Sequence, residues 1–272
     1  MKILISLLTI LTIIAGQGLA EEERGAYLDE VMFIHYLDET IAAKEVQIGN
    51  LHTYFWRIPV ETAIQFRGDP NVAFFEAPGG TLTLLLNPAP AERFNPFSLR
   101  EIRYAMNYLV NREFIVNEIL KGYGASIVAV YGPYDPDYLV IAEDVEALGI
   151  DYNPELANKM ISESLSKIGA KKIGGKWVHQ DVPIKLKFFI RSDDPRRKAL
   201  GEALASELEK IGFEVEKIFG DLTKAYDLVY GSDPKAGGWH IYTEGWGRTA
   251  FLKYDTIVIS QMYAPWYGNM PG

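Results

Sequence analysis

The chain has 272 residues, of which 48% are hydrophobic and 23% are charged, values typical of a protein that buries a core. Its net charge of −9 argues against binding to nucleic acid or to anionic membrane surfaces, because both need clustered Lys and Arg. The chain contains no cysteine, which excludes disulfides and the lipid-bearing cysteine of a bacterial lipoprotein anchor.

The start of the chain has the pattern of a secretory signal peptide. Lys2 precedes an apolar run at residues 3–15, and the small residues Gly18 and Ala20 precede three acids at residues 21–23. The run is shorter than the ~20 residues that span a bilayer, so an uncleaved anchor is the second interpretation. We expect cleavage after Ala20 and a secreted protein held at the outer face of the cell membrane.

Between the signal and the first domain boundary, short apolar runs alternate with weak helical patterns. The sequence predicts strands at residues 31–34, 51–56, 72–76 and 81–86, and helices at residues 40–46 and 59–66. The stiff segment Pro88-Ala89-Pro90 follows these elements, and we interpret it as the boundary.

The helical patterns are stronger after this boundary. One helix begins near Pro96, with apolar residues every three or four positions, and Asn111 is placed to cap a second helix. A third helix opens at Asn153-Pro154, where a capping side chain precedes a first-turn proline. Residues 126–138 are rich in Gly, Pro and Tyr and predict an ordered loop.

The clearest unit of the chain is a strand, a helix and a second strand. Residues 184–190 alternate apolar with more polar side chains, after a hairpin turn at Gly174-Gly175. Asp193-Asp194-Pro195 caps a helix that ends at Gly212, and Phe213 begins the next strand. Short joints between these elements predict a right-handed parallel crossover.

No catalytic or metal-binding motif is found in the sequence. The histidines at positions 35, 52, 179 and 240 are far apart, and none forms the two-histidine spacing of a helical metal site. There is no Gly-x-Ser-x-Gly elbow, phosphate loop or dinucleotide fingerprint. We therefore predict no metal, no cofactor and no enzymatic activity.

One enzymatic alternative remains open, an exported glycoside hydrolase that uses a carboxylate pair. Glu143 with Asp144, or Asp193 with Asp194, could form such a pair. Helix capping before Pro195 is a sufficient explanation for the second pair.

A series of short segments, spread over about four fifths of the chain, matches known motifs in the same order. They are VQIGNLH (46–52), the strand region 71–87, NPFS (95–98), IRYAMNY (102–108), NRE (111–113), KGYG (121–124), YNPELA (152–157), LEKIGF (208–213) and WHIYTEGWG (239–247). They resemble the stretches "GEIDI", "LLFN", "NPPFSD…VRxAxxYAIDRE", "YDPEKAK", "AEAIQxQLKKIGI" and "WDLYLGGWG" of the family 5 extracellular solute-binding proteins. These are the dipeptide and oligopeptide receptors of ABC importers, and the similarity is greatest to archaeal members.

The resemblance implies a periplasmic-binding-protein-like α/β fold of the class II, cluster C type, with mixed sheets and flanking helices. Family members are usually much longer, so one lobe is expected to be incomplete. The implied division is a signal peptide at 1–20, a partial first-lobe segment and hinge strand at 21–90, a second α/β lobe at 91–238, and a hinge return with the start of the truncated first-lobe remainder at 239–272.

The resemblance also implies a function without catalysis. The chain would capture an oligopeptide or an oligosaccharide and deliver it to the permease subunits of an ABC transporter. In the family's peptide receptors an acid shortly after the Gly-Trp motif captures the peptide amino terminus, whereas here Asp255 is the first acid after Trp246. This departure shifts the expected ligand slightly toward sugars. The alternative is a binding or interaction remnant that takes no part in transport.

Aromatic residues supply the predicted ligand contacts. They make up 12% of the chain, and many lie beside Gly or Pro in segments that cannot be regular helix. Trp246 is the predicted stacking platform for a flat ligand group, with packing in the core or hinge as its alternative. The remaining predicted contacts are Trp56, Trp266, Tyr131, Tyr134 and Asn87.

Overall fold

A computed structural model describes residues 27–77, 80–135 and 137–247 of the chain. The predicted signal peptide and Trp266 lie outside these residues. The described helices are α1 (Glu39–Gln47), α2 (Val60–Phe66), α3 (Arg100–Leu109), α4 (Arg112–Phe114), α5 (Tyr138–Ala147), α6 (Pro154–Lys167), α7 (Pro195–Lys210) and α8 (Leu222–Ala225). The described strands are β1 (Gly80–Leu86), β2 (Lys171–Ile173), β3 (Lys176–His179), β4 (Val182–Pro183), β5 (Lys185–Arg191), β6 (Glu214–Gly220) and β7 (Ile241–Gly247).

Side-chain caps explain where several of these helices begin. Asp38 accepts hydrogen bonds from the backbone N–H groups of Thr40 and Ile41 at the start of α1. Asn153 and Asp194 cap α6 and α7 in the same way, each before a first-turn proline. The observed helices confirm the predicted caps at Asn153 and Asp194, whereas the cap at Asp38 was not predicted.

A four-stranded mixed sheet with the order β1-β7-β5-β6 organises the fold. Strand β5 pairs in parallel with both β6 and β7, whereas β1 is antiparallel to β7. The parallel pairing of β5 with β6 across α7 confirms the predicted strand–helix–strand unit. The small antiparallel sheet β2-β3-β4 contains the predicted hairpin, whose turn residues Gly174 and Gly175 have φ angles of 57° and 79°.

The central strand β5 is covered on both faces. Its residues Leu186, Phe188 and Ile190 are fully buried in the larger core cluster, together with buried side chains of α3, α6 and α7. Phe189 points to the opposite face, where it belongs to a smaller cluster with Trp239 and Tyr242. Its ring stacks on Tyr242 with centroids 5.3 Å apart. The sheet therefore separates two cores.

Three predicted strands are wrong. Residues 31–34, 51–56 and 72–76 have no regular strand structure, although 81–86 does. The side chains of Met32 and Phe33 are 69% and 80% exposed, so neither is held in a packed face. A short apolar run predicts burial only when a neighbouring element covers it, and sequence periodicity does not provide that information. The fold also contains α5, which was not predicted and which buries none of its residues.

The second helix after the boundary differs from its prediction in detail. Asn111 caps it as expected, accepting a hydrogen bond from the backbone N–H of Phe114. After Phe114 the helix continues as a single π turn, Ile115–Ile119, instead of a regular α-helix. The preceding helix begins with the 3-10 turn Pro96–Ser98 and becomes α-helical only at Arg100.

Candidate functional site

The carboxyl ends of β5, β6 and β7 lie at one edge of the main sheet, because the three strands run in the same direction. The amino end of β1 joins them, since Gly80 pairs with Gly247 at the end of β7. In α/β proteins ligands bind outside the carboxyl ends of parallel strands. This edge is the candidate site, which we call the carboxyl edge.

A charged pair holds the end of β5. Arg191 donates to Asp193 through two hydrogen bonds, Nε to Oδ1 at 2.6 Å and Nη2 to Oδ2 at 2.7 Å. Its Nη1 also lies 3.4 Å from the hydroxyl of Tyr242. The hydrogen bond from Arg191 lowers the pKa of Asp193, although burial opposes that shift. Both carboxylate oxygens of Asp193 are therefore engaged by Arg191.

Asp194 is also committed to structure. Its side chain accepts from the backbone N–H of Arg196 at 3.0 Å and forms ion pairs with the guanidinium groups of Arg196 at 3.2 Å and Arg197 at 3.7 Å. Burial alone would raise its pKa, but the Arg196 hydrogen bonds and charge outweigh burial and lower the pKa. The helix-capping interpretation of Asp194 is confirmed.

Arg197 is underpaired for a buried guanidinium. Its side chain is 13% exposed, and its Nε and Nη1 atoms are buried with no hydrogen-bond acceptor in the part of the chain that the structure describes. The group lies against Gly245 of β7, where an added Cβ would be 2.4 Å from Nη2. A side chain at this position would require the guanidinium to shift.

Trp246 follows Gly245 and reaches the carboxyl edge from the other face of β7. It pairs with Thr81 of β1 and is half-buried. Its indole Nε1 is buried and has no hydrogen-bond partner among the described residues, and the same is true of the hydroxyl of Thr83. Both groups therefore retain unused hydrogen-bonding capacity at this edge.

Glu244 is a buried carboxyl group at the same edge. The residue is 4% exposed, accepts a hydrogen bond from the backbone N–H of Gly245 at 2.7 Å, and is in contact with the hydroxyl of Tyr230. Burial raises its pKa to about 7, against the lowering effects of the Gly245 N–H and of the charges of Arg197 and Arg191. Glu244 is thus able to change protonation state near neutral pH.

The sequence predicts Trp246 as a ligand contact, which stays a prediction, and it does not single out Arg191, Arg197, Tyr230 or Glu244. The one available signal was the acid Glu244 directly after Ile241-Tyr242-Thr243, within the same strand pattern. An ionisable residue in a buried strand requires a partner, and its presence there is unusual.

The other predicted contacts are spread over separate loops. Trp56 is 64% exposed between α1 and α2, and Tyr134 is 61% exposed in the loop before α5, which also carries the half-buried Tyr131. No ring contact joins Trp56, Tyr134 and Trp246 to one another within the described part of the chain. Their contact with a ligand stays a prediction.

Asn87 has a structural role in this fold. It is 1% exposed, and its Nδ2 donates to the carbonyl oxygens of Pro234 at 2.9 Å and Trp239 at 3.0 Å. Its Oδ1 accepts from the backbone N–H of Ala89 at 3.0 Å. These bonds use both donors of the amide, so the predicted contact with ligand is not needed to explain the residue.

A cavity of about 230 Å³ lies away from the predicted contacts, between β1, the end of α3, α4 and α7. Its lining is mostly apolar and includes Leu84, Leu109, Phe114 and Leu200. None of the predicted ligand contacts lines this cavity.

The described residues were also compared with what a metal site and a membrane-spanning helix require. His240 is buried and its Nδ1 accepts a hydrogen bond from the backbone N–H of Lys187 at 2.9 Å. Among residues 27–77, 80–135 and 137–247, no three His, Cys, Asp or Glu side chains are grouped so as to hold a metal ion. In the same residues, no helix has the length and apolar character needed to cross a bilayer.

Comparison with known proteins places this arrangement in a structural class. The oligopeptide-binding protein AppA of Bacillus subtilis is 24% identical over 253 residues, which cover 89% of this chain and 43% of AppA. A periplasmic oligopeptide-binding protein of Thermotoga maritima, solved with mannohexaose, has a TM-score of 0.59 at 23% identity, covering 79% of this chain and 40% of that chain. NikZ of Campylobacter jejuni, solved with Ni(L-His), has a TM-score of 0.57 at 21% identity, covering 88% and 44%.

These relatives are substrate-binding proteins, and the structural likeness confirms the periplasmic-binding-protein-like mixed α/β fold. The chain spans less than half the length of each of these relatives. The family model for bacterial extracellular solute-binding proteins, family 5 Middle, matches residues 22–261, and the chain therefore belongs to the family 5 extracellular solute-binding proteins.

Proposed function

We propose that this chain is the extracellular solute-binding component of an ABC importer and that it captures an oligopeptide or an oligosaccharide. The observation that carries the proposal is the family match over residues 22–261. AppA, whose name is that of an oligopeptide-binding protein, has been solved with a nonapeptide, and the Thermotoga relative has been solved with mannohexaose. Both ligand classes are therefore candidates for this chain.

In this proposal residues 91–238 form the second lobe, residues 21–90 a partial first lobe with a hinge strand, and residues 239–272 the hinge return. The antiparallel pairing of β1 with β7 supports it, because the two inter-lobe segments then run side by side. Solute binding would favour a closed form over an open one, and the permease subunits would recognise that form. The secretory pattern at residues 1–20 supports export to the outer face of the membrane.

Trp246 is the proposed stacking platform for a sugar ring or a peptide group. Its position at the carboxyl edge supports this role, since strand ends of this kind receive ligands in α/β proteins. Trp56, Tyr131, Tyr134, Trp266 and Asn87 remain the further proposed contacts.

A thermal-shift screen tests the proposal. The panel contains di- to penta-peptides and a nonapeptide against cello-, malto-, xylo- and manno-oligosaccharides. A ligand at about 100 times its Kd stabilises the folded state by about 2.7 kcal/mol, which is readily detected as a rise in Tm. Trp246→Ala should abolish the rise, whereas Phe75→Ala, which removes a 95% exposed ring outside the proposed contacts, should leave it intact.

Two outcomes would contradict the proposal. Hydrolysis of an oligosaccharide by the purified protein would favour the glycoside hydrolase alternative. A cooperative thermal transition with no rise in Tm for any ligand of the panel would favour a remnant that does not take part in transport.

A further inference from the structure

The cavity between β1 and α7 differs from the carboxyl edge in position and in chemistry. It has a volume of about 230 Å³ and lies beside the middle and C-terminal part of α7, whereas the carboxyl edge lies at the first turn of that helix. Leu109, Leu200 and Leu204 line it and are themselves at most 5% exposed. Water in such a space finds few of the two to four polar partners that hold it in a protein interior, so the cavity favours an apolar occupant.

The sequence of α7 explains why this space is open. Leu200, Ala203, Leu204 and Glu207 are spaced i, i+3, i+4 and i+7, so they share one face of the helix, and all four line the cavity. Ala203 contributes only a methyl group to this face, which leaves room beside the two leucines. Glu207 ends the face with an acid, where the pattern would place an apolar residue. The helix therefore presents an apolar surface with one carboxylate to the cavity.

Glu207 still has hydrogen-bonding capacity toward the cavity. Its side chain is only 19% exposed, and it accepts hydrogen bonds from Lys210 Nζ at 2.6 Å and from the hydroxyl of Tyr152 at 3.2 Å. A carboxylate offers about four lone-pair sites, of which these two bonds use two. Because Lys210 already balances its charge, Glu207 is suited to a neutral donor, whereas an anion in the cavity would be repelled at close range.

A second wall of the cavity lies where α4 passes into the π turn. Asn111, Phe114 and Ile115 contribute to this wall, and Ile115 begins the π turn. Turns of this kind within helices are frequent at functional sites. Phe114 is 45% exposed and Tyr152, which also lines the cavity, is 40% exposed. The two aromatic rings thus lie where the cavity meets solvent, with the buried leucines deeper inside.

The volume of the cavity limits its ligand to a small molecule. An apolar protein cavity of about 150 Å³ holds benzene, so the larger space here admits a six-membered ring with a substituent. We propose that this cavity is a second ligand site, which takes a small aromatic molecule whose neutral hydroxyl or N–H group donates a hydrogen bond to Glu207. The site is independent of the proposed transport function and of Trp246, which lies at the carboxyl edge.

Fluorine NMR with 4-fluorophenol as the probe tests this inference on the full chain. The fluorine resonance of the probe should shift or broaden saturably as protein is added. Ala203→Leu fills the space that the probe would occupy and should weaken its affinity at least about tenfold. Filling an existing cavity tends to stabilise a fold, so this variant should remain folded. Ala147→Leu is the matched control, because it adds the same side chain at an exposed position of α5, and it should leave the affinity unchanged.

Two comparisons test the polar contact. Glu207→Gln keeps the shape of the side chain and replaces a charge-assisted hydrogen bond by a neutral one, so the affinity for 4-fluorophenol should fall about tenfold. This variant also serves as the second test if Ala203→Leu does not fold. The second comparison uses 4-fluorobenzoate, which carries a carboxylate in place of the hydroxyl and should not bind to the unmodified protein.

Several results would overturn the inference. They are the absence of saturable binding of 4-fluorophenol, equal binding of 4-fluorobenzoate, and an affinity that is unchanged in Ala203→Leu or in Glu207→Gln. Loss of probe binding in Trp246→Ala would also overturn it, because the probe would then lie at the carboxyl edge. No oligopeptide or oligosaccharide is present in these measurements, so their outcome is independent of the thermal-shift screen.

Discussion

The guanidinium group of Arg197 lies against the backbone of Gly245, so that a Cβ at position 245 would be 2.4 Å from Nη2 and 2.9 Å from Cζ. Helix α7 and strand β7 thus meet at a point where the strand has no side chain. The charged end of Arg197 fills that space, with most of its surface withdrawn from solvent. This contact ties the first turn of α7 to the strand that carries Trp246.

Gly245→Ala should therefore destabilise the protein. The new methyl group must displace the buried guanidinium, and such overpacking costs roughly 1–3 kcal/mol of unfolding free energy. Gly247→Ala is the control, because a Cβ there meets no atom of the described residues within 4 Å. It should be neutral or slightly stabilising. Urea denaturation of the two variants measures the difference, and equal stabilities would show that Arg197 moves aside without cost.

Glu244 should make the protein less stable as the pH rises from about 4.5 to about 7. The folded-state pKa is about 7 and the unfolded value is 4.5, so in this window the folded protein keeps a proton that the unfolded chain has released. At about 1.4 kcal/mol per pKa unit the full effect is on the order of 3 kcal/mol.

Glu244→Gln removes this dependence, and it should be more stable than the unmodified protein above neutral pH and similar to it near pH 4.5. Unfolding free energies from urea titrations across this range test the prediction, with Glu207→Gln as the control. Parallel stability curves for Glu244→Gln and the unmodified protein would show that Glu244 does not carry the effect.

The sequence predicted individual elements of this fold better than it predicted which elements pack against one another. The unit from β5 to β6 was predicted because its pattern is complete within the unit: an alternating strand, a cap at Asp194 and a stop at Gly212. The runs at 31–34 and 51–56 were assigned as strands because they are apolar. Whether another strand pairs with an apolar run depends on distant residues, and no strand of the described residues pairs with these two runs.

The candidate site was harder to predict for the same reason. Arg191, Arg197, Tyr230 and Glu244 come from four separate segments, which meet only because β7 lies beside β5 and not beside β6. That strand order cannot be read from spacing. Trp246 is singled out as a candidate because it lies in a recognisable motif, whereas the groups that surround it have no motif of their own.

His240 should have the opposite pH dependence from Glu244. Burial, followed by the charge of Lys187, lowers its pKa from 6.5 to about 4. As the pH falls from about 6.5 to about 4, the unfolded chain takes up a proton that the folded protein excludes, so stability decreases. His240→Asn keeps an acceptor for the N–H of Lys187 and should flatten this acid dependence. His52→Asn, at an exposed position, should not. If the two variants lost stability equally as the pH falls, the effect could not be assigned to His240.

Asn87 allows the structural and ligand-binding interpretations of one residue to be separated. Asn87→Asp keeps the shape of the side chain but loses both donors and places a negative charge against the carbonyl oxygens of Pro234 and Trp239. The carbonyl oxygen of Pro234 still accepts from the backbone N–H of Gly237 at 3.4 Å, so the main loss falls on the buried carbonyl of Trp239 and should cost roughly 1–3 kcal/mol. Asn107→Asp is the control, because Asn107 makes a single donor bond, to Tyr104 at 3.2 Å, and its amide oxygen already faces Arg112. Urea denaturation should show a large loss for Asn87→Asp and a small one for Asn107→Asp. If Asn87→Asp instead retained its stability and lost only the ligand-induced rise in Tm, Asn87 would be a ligand contact, and the loop after β1 would belong to the binding site.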